Sequence, residues 1–215
     1  MTKGIIYYTD NQVPARLDKE VQNWIRISGL PITSTSLQPM EFGNNTHVKE
    51  ERGYMTMFKQ ILLCLEKATE DIVFFCEADV LYHPTHFDFT PEDSNMFYYN
   101  NNWYSVGRGD MAVTWDANRV SQLCCYREHA LNYYRNRIKE IEEKGFNRSY
   151  EPGGRDESTY KRWMSEFPNI DVMHGKNLTA RKWSENDFRD KSTGQNFVKT
   201  TIDKIPGWVN LQQYI

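Results

Sequence analysis

The chain opens on a short apolar run, residues 4–8 (GIIYY), closed by Thr9-Asp10-Asn11. An unbroken run of that length bounded by turn residues predicts a buried first strand. Pro14 then opens a stretch in which Leu17, Val21, Trp24 and Ile25 recur at helical spacing, and Gly29 ends it. Proline suits the first helical position because its missing N–H has no helical partner there, and glycine accepts the left-handed conformation that closes a helix. Residues 32–37 (ITSTSL) alternate β-branched positions and predict a second strand. The polar stretch 38–52, with Gly43, Asn44 and Asn45, reads as a loop. A helix from about Tyr54 carries Phe58, Ile61, Leu62 and Leu65 on one face. Asp71 leads into residues 72–76 (IVFFC), apolar on both faces as in a strand covered on both sides.

The second half is less regular. Residues 96–99 and 111–115 predict short strands, with a polar, glycine-containing loop at 100–110 between them. A long helix is expected from about Asp116 to Lys144, ended by Gly145, and another from about Asp156 to Glu166. Residues 170–173 predict a last strand. Beyond His174 the chain turns polar and charged, and an irregular tail is expected. Alternating strands and helices predict an α/β architecture with a mostly parallel central sheet. Ligands of such sheets bind at the carboxyl ends of the strands, where Asp10 and residues 77–79 fall.

The 215 residues fit one compact domain, and a net charge of −3 gives no argument for binding nucleic acid or an acidic membrane surface, while leaving room for a local basic patch. The opening MTKGIIYYTD lacks the zones of a secretory signal, and no apolar run is long enough to span a bilayer. A soluble cytoplasmic protein with no membrane span is expected. Cys64, Cys76, Cys124 and Cys125 follow no zinc spacing, and two of them are adjacent, so they read as reduced core thiols.

Four segments carry candidate chemistry. Glu77-Ala78-Asp79 follows a buried strand, and an extended acid-x-acid segment points both carboxylates to one side, where they can share a hard divalent cation. Such a cation offsets a substrate diphosphate. Tyr8, Thr9 and Asp10 offer an aromatic, a hydroxyl and an acid at the end of the first strand, although taken alone they are better explained by an ordinary turn. His174 stands just past the last predicted strand with Lys176 nearby: a neutral imidazole ligates divalent ions, and the lysine reaches phosphate. Gly153-Gly154-Arg155 delivers Asp156 and Glu157 to a predicted helix start, where they act as dipole partners or as a general base. Arg52, beside Gly53, suits a phosphate or a core acid.

In their order along the chain these segments resemble the GT-A glycosyltransferases that use nucleotide sugars, especially small phage- or bacterial-type members related to family 2. The resemblance runs from about Gly4 to Trp183, through GIIYYTDN, YMTMFKQILLCLEKA, IVFFCEADVLYHP, GGRDE and VMHGKN. It implies a Rossmann-like α/β/α sandwich over residues 1–183, with residues 184–215 as a tail packed on the same domain. It implies a Mn2+ or Mg2+ ion held by Asp79 and His174, with Glu77 a further ligand or a ribose contact. It places the nucleotide-sugar donor against Tyr8, Thr9, Asp10, Arg52, Glu77, Ala78, Asp79 and Lys176. Asp156 or Glu157 takes the place of the base, and Trp103 and Tyr104 are assigned to the acceptor. The implied reaction is transfer of a hexosyl or pentosyl group to an acceptor hydroxyl, either inverting or retaining.

A narrower alternative makes the acceptor a hydroxymethylated base in DNA, in a phage protein acting in its host's cytoplasm. Arg119, Arg127, Arg135, Arg137 and Lys139, interleaved with Tyr126, Tyr133 and Tyr134, then form a basic helix face extended by Lys176, Arg181, Lys182 and Trp183. Nucleotidyl transfer is disfavoured, because TDNQVPAR after the first strand lacks a glycine-rich basic loop. A non-catalytic nucleotide-sugar-binding module is the third alternative.

Overall fold

The computed structural model describes residues 1–107, 109–147, 151–152, 156–178 and 197–215. In chain order, β1 (Lys3–Thr9) is followed by α1 (Ala15–Ile27), β2 (Ile32–Ser36), β3 (Asn44–His47), α2 (Tyr54–Lys67), β4 (Ile72–Glu77) and the two-residue β5 (Val80–Leu81). Next come β6 (Phe97–Asn100), β7 (Trp103–Val106), β8 (Met111–Thr114), β9 (Leu123–Tyr126) and α3 (Arg127–Lys144). β10 (Tyr160–Trp163), β11 (Asn169–Val172) and β12 (Val198–Thr201) follow.

The large sheet has the order β10-β6-β9-β4-β1-β2-β3. β1 pairs in parallel with β2 and β4, β2 with β3, and β6 with β10, while β9 runs antiparallel between β4 and β6. The mostly parallel α/β sheet expected from the alternation is therefore present. Side chains alternate between its faces. Ile5, Tyr7, Phe74 and Cys76 pack with Leu17, Val21 and Ile25 of α1. Ile6, Tyr8, Val73 and Phe75 pack with Phe58, Ile61 and Leu65 of α2 and with Leu131, Tyr134 and Ile138 of α3. Burying each large apolar side chain contributes about 1.5–3 kcal/mol, so residues 72–76 read as continuously apolar because both faces are covered. Gly29 at φ 66° and Gly145 at φ 79° follow α1 and α3 in the left-handed conformation that glycine tolerates best.

Five expectations are corrected. The loop expected at 38–52 contains β3, a polar edge strand paired with β2. The loop expected at 100–110 contains β7, which joins β11 and β8. The long helix begins at Arg127 rather than Asp116, because Leu123-Cys124-Cys125-Tyr126 inserts between β4 and β6 with both faces covered. The helix expected over 156–166 is a 3₁₀ turn (Glu157–Thr159) followed by β10 on the edge of the large sheet. Residues 197–215 are not irregular either: β12 pairs antiparallel with β8, and Ile202, Ile205, Trp208 and Leu211 are buried in the core. The boundary expected at residue 183, together with Arg181, Lys182 and Trp183, lies outside the described residues, as do Gly153, Gly154 and Arg155.

A second sheet, β12-β8-β7-β11-β5, stands beside the first. A buried polar network links the two. Asn100 at the end of β6 and Asn169 at the start of β11 both direct their amide nitrogens at His86 Nδ1, at 3.1 and 3.0 Å. The orientation of each amide is set independently. Asn100 Oδ1 accepts from the backbone N–H groups of Asn102 and Ser165, and Asn169 Oδ1 accepts from that of His83. Nδ1 of His86 is therefore an acceptor, and the ring is neutral. All four cysteines are free and buried, as expected.

Candidate active site

β1 lies between β2 and β4, so the chain leaves it toward one neighbour and returns to the other side. This arrangement opens a crevice at the carboxyl ends of β1 and β4. A cavity of about 200 Å³ occupies it. Tyr8, Thr9, Asp10, Tyr54, Met57 and Gln60 line the end formed by β1 and α2. Glu77, Ala78 and Asp79 lie between the two sheets, and Ser105, Trp115, Asn118, Arg119 and Asp171 line the end formed by the second sheet. Glu151, Met173, His174, Lys176 and Asn177 complete the wall.

Glu77 is the last residue of β4, residues 78 and 79 form a turn, and Val80 starts β5. The acids are thus presented by a turn joining two sheets, not by the continuous extended segment expected, yet both face the cavity. Tyr8 donates its hydroxyl hydrogen bond to Glu77 Oε1 at 2.7 Å, and Glu77 N–H donates to Tyr82 Oη at 2.9 Å. Burial, reinforced by the nearby Asp79 charge, pushes the Glu77 carboxyl up to about 8, with the Tyr8 hydrogen bond pulling the other way. Asp79 is held differently. Its Oδ2 accepts from Asn177 Nδ2 at 2.7 Å and stands 3.7 Å from His174 Nε2, while Asn177 Oδ1 accepts from His174 N–H at 3.0 Å. Backbone pairing fixes the turn, since Val172 N–H donates to Asp79 O at 2.8 Å.

At the β1 end, Gln60 Nε2 donates to Thr9 O at 2.9 Å, and Asp10 Oδ1 accepts from Gln12 N–H. The other Asp10 oxygen pairs with Arg52, whose guanidinium also donates to Lys176 O. Arg52 therefore ties the end of β1 to the loop after β11 and stands at the rim. Lys176 is exposed and contributes to the wall.

Arg119, expected on a solvated helix face, is instead inside the cavity, with 17% of its side chain exposed and an ion pair to Asp171 on β11. Its guanidinium carbon lies 3.9 Å from the ring centroid of Trp103 and 4.7 Å from that of Trp115. Burial lowers its pKa to about 10, and the Glu77 and Asp79 charges oppose that shift, so it is charged at neutral pH.

Asp156 and Glu157 are exposed and do not line the cavity. Asp156 caps the following turn, accepting from the Ser158 hydroxyl at 2.6 Å and backbone at 3.0 Å, contacts that hold its carboxyl below the usual range. Glu151 is the acid of that region that lines the cavity. Trp103 is fully buried beneath Arg119, and Tyr104 is half-buried on β7, so neither is a loop residue and Trp103 offers no surface to an acceptor. On α3, Arg135 pairs with Glu66, Arg137 with Glu140 and Arg127 with Glu128, so its basic side is partly neutralised by acids.

No family model matches the chain, and no curated protein matches it in sequence. Solved structures do. The chain is similar to a glycosyltransferase involved in glycosylation of the major capsid of PBCV-1, with a TM-score of 0.51 and 10% identity over 81% of this chain and 95% of that one. The fold is of the GT-A type. Weaker likenesses reach GlyE of Streptococcus pneumoniae TIGR4 (TM-score 0.48, 11% identity, 76% of this chain and 45% of that one) and Drosophila β1,4-galactosyltransferase 7 solved with manganese, UDP-Gal and xylobiose (TM-score 0.47, 13% identity, 89% and 80%).

Within this GT-A frame, the carboxyl and imidazole expected to hold a cation meet. An ion bound to both draws its two ligand atoms to about 3 Å apart, close to the 3.7 Å between Asp79 Oδ2 and His174 Nε2. Among the described residues buried His174 Nδ1 has no hydrogen-bond partner, so none of them commits the ring elsewhere through that atom. Among the described residues no three His, Cys, Asp or Glu side chains form a cation cage. Two protein ligands, with phosphate and water completing the shell, suit Mg2+ or Mn2+. Glu77 does not complete a three-ligand set. Asn177, Asp171, Trp115 and Glu151 carried no site assignment from the sequence, and Arg119 only one on a basic helix face. Asn177 showed only as the end of the VMHGKN segment, and Asp171 only as a strand residue. Among the described residues no helix is long and apolar enough to cross a membrane.

Proposed function

We propose that this protein is a glycosyltransferase that moves a sugar from a nucleotide-diphosphate donor to an acceptor hydroxyl. The carrying observation is the cluster of Asp79, His174 and Asn177 in a cavity at the switch point of a GT-A fold. Thr9, Asp10 and Tyr54 at the β1 end suit the nucleoside, and Lys176 suits phosphate. Asp79 and His174 hold Mn2+ or Mg2+, which when bound offsets the charge of the departing diphosphate.

The remaining chemistry belongs to the chain's own groups. In a direct displacement the acceptor oxygen bonds to the anomeric carbon as the bond from that carbon to phosphate oxygen breaks, releasing the nucleoside diphosphate. The acceptor's proton goes to a carboxylate. Glu151, on the cavity wall, is favoured for that role over Asp156 and Glu157, which lie outside it. The Asn177 amide, donating to Asp79 Oδ2, orients that carboxylate.

Nucleotide-diphosphate sugars screened for hydrolysis and thermal stabilisation, with and without Mn2+, test this reading. A cation-dependent donor is expected. No stabilisation by any donor or nucleoside diphosphate, with or without the metal, refutes it.

A further inference from the structure

We infer that the Arg119–Asp171 pair, framed by Trp115, Ser105 and Asn118, reads the donor sugar and selects an uncharged sugar over a uronate. This rests on the glycosyl transfer proposed above and adds to it the class of sugar.

Position gives the first support. Asp171 pairs with Val80, the residue after Asp79, and Val172 N–H bonds Asp79 O. The pair therefore stands immediately beyond Asp79, on the side away from Tyr8, Thr9 and Asp10. A donor with its nucleoside against β1 and its diphosphate at Asp79 delivers its sugar there.

The second support is chemical. A guanidinium carries only donors and a carboxylate only acceptors. Side by side they match neighbouring sugar hydroxyls, each of which both donates and accepts. Trp103 and Trp115 hold the guanidinium in place from its two contacts, so little side-chain freedom is lost on binding.

Charge decides the class. Arg119 is already ion-paired with Asp171, and the side chains are 17% and 9% exposed, so the pair is closed and close to electrically neutral. A uronate would bring another carboxylate next to Asp171 and Asp79 and compete for a guanidinium already committed to Asp171. In a largely water-excluded site an uncompensated charge of this kind is strongly disfavoured.

The test is calorimetric binding to the full chain with Mn2+, using matched donors: UDP-glucose against UDP-glucuronate, and GDP-mannose against GDP-mannuronate, with UDP and GDP as references. The neutral member of the bound series is expected to bind at least tenfold more tightly than the uronate. Arg119→Lys, and Arg119→Met combined with Asp171→Leu, are expected to weaken the neutral donor at least tenfold while changing nucleoside diphosphate affinity less than twofold. Equal or tighter uronate binding overturns the inference, as does full donor affinity in the folded double variant. Should the variants not fold, the wild-type comparison decides. Failure of UDP, GDP, all four donors and every other donor and nucleoside diphosphate in the screen above to bind removes the proposed function itself, whereas diphosphate binding without discrimination removes only this inference.

Discussion

Tyr8 and Glu77 are register partners across β1 and β4, and the tyrosine hydroxyl donates to the buried carboxyl at 2.7 Å. Tyr8→Phe is expected to cost about 1–2 kcal/mol in urea unfolding, the usual penalty for stripping a buried polar group of its partner. The pH dependence has a definite sign. The Glu77 carboxyl is raised in the folded state, so its contribution is complete below about pH 4.5 and is lost as pH rises through about 8. Tyr8→Phe removes a contact that favours ionised Glu77, so its cost should be larger at pH 8 than at pH 5. An equal cost at both would refute the pairing.

Asp79→Ala and Asp79→Asn are expected to reduce donor turnover by at least about a hundredfold, roughly 2.7 kcal/mol of transition-state stabilisation. Thermal stabilisation by Mn2+ should vanish with it. Turnover unchanged in Asp79→Ala would point to a nucleotide-sugar-binding module whose apparent activity arises elsewhere.

Glu151→Gln is expected to slow transfer by about 10²–10⁴-fold, the range for losing a positioned base, with donor affinity retained. Asp156→Asn and Glu157→Gln should change the rate less than about threefold, because both acids lie outside the cavity. Single-turnover rates distinguish the three, and a large loss confined to Asp156→Asn or Glu157→Gln would reverse the assignment.

Arg119→Ala leaves Asp171 without its ion-pair partner and is expected to destabilise the fold by about 3 kcal/mol. Removing both charges, with Arg119→Met and Asp171→Leu, should recover most of that loss. The comparison is made by denaturant midpoint at constant slope.

His86 gives a pH signature of opposite sign. Burial lowers its pKa to about 3, so the folded protein refuses a proton that the unfolded chain accepts below about 6.5. Stability should therefore fall by about 3 kcal/mol between pH 7 and pH 4. His86→Gln, which keeps an acceptor for the two asparagines, should flatten that part of the profile.

The first half of the fold was legible because β1, α1, α2 and β4 each carry a strong local period. The second half hid its strands for physical reasons. β3 (NNTH) is a polar edge strand with little apolar face to betray it. β7 (WYSV) is flanked by asparagines that bond across to neighbouring elements. Leu123-Cys124-Cys125-Tyr126 abuts a helical stretch with no breaker between them, so no local signal separates strand from helix. Asp79 and His174 were legible as strand-end residues. Arg119 and Asp171 were not, since their meeting depends on β11 pairing with β5, a contact across ninety residues of chain that no local pattern records.

The His86 network bears on the cavity as a whole. The β1 end of the crevice belongs to one hydrogen-bonded sheet and the Asp171 end to the other, so the distance between them depends on how the two sheets are held together. Apolar surfaces slide against one another at little cost, whereas amides aimed at a single ring nitrogen do not. The buried asparagines thereby act as a caliper on the crevice: they hold its two walls in register, and neither Asn100 nor Asn169 lines the cavity.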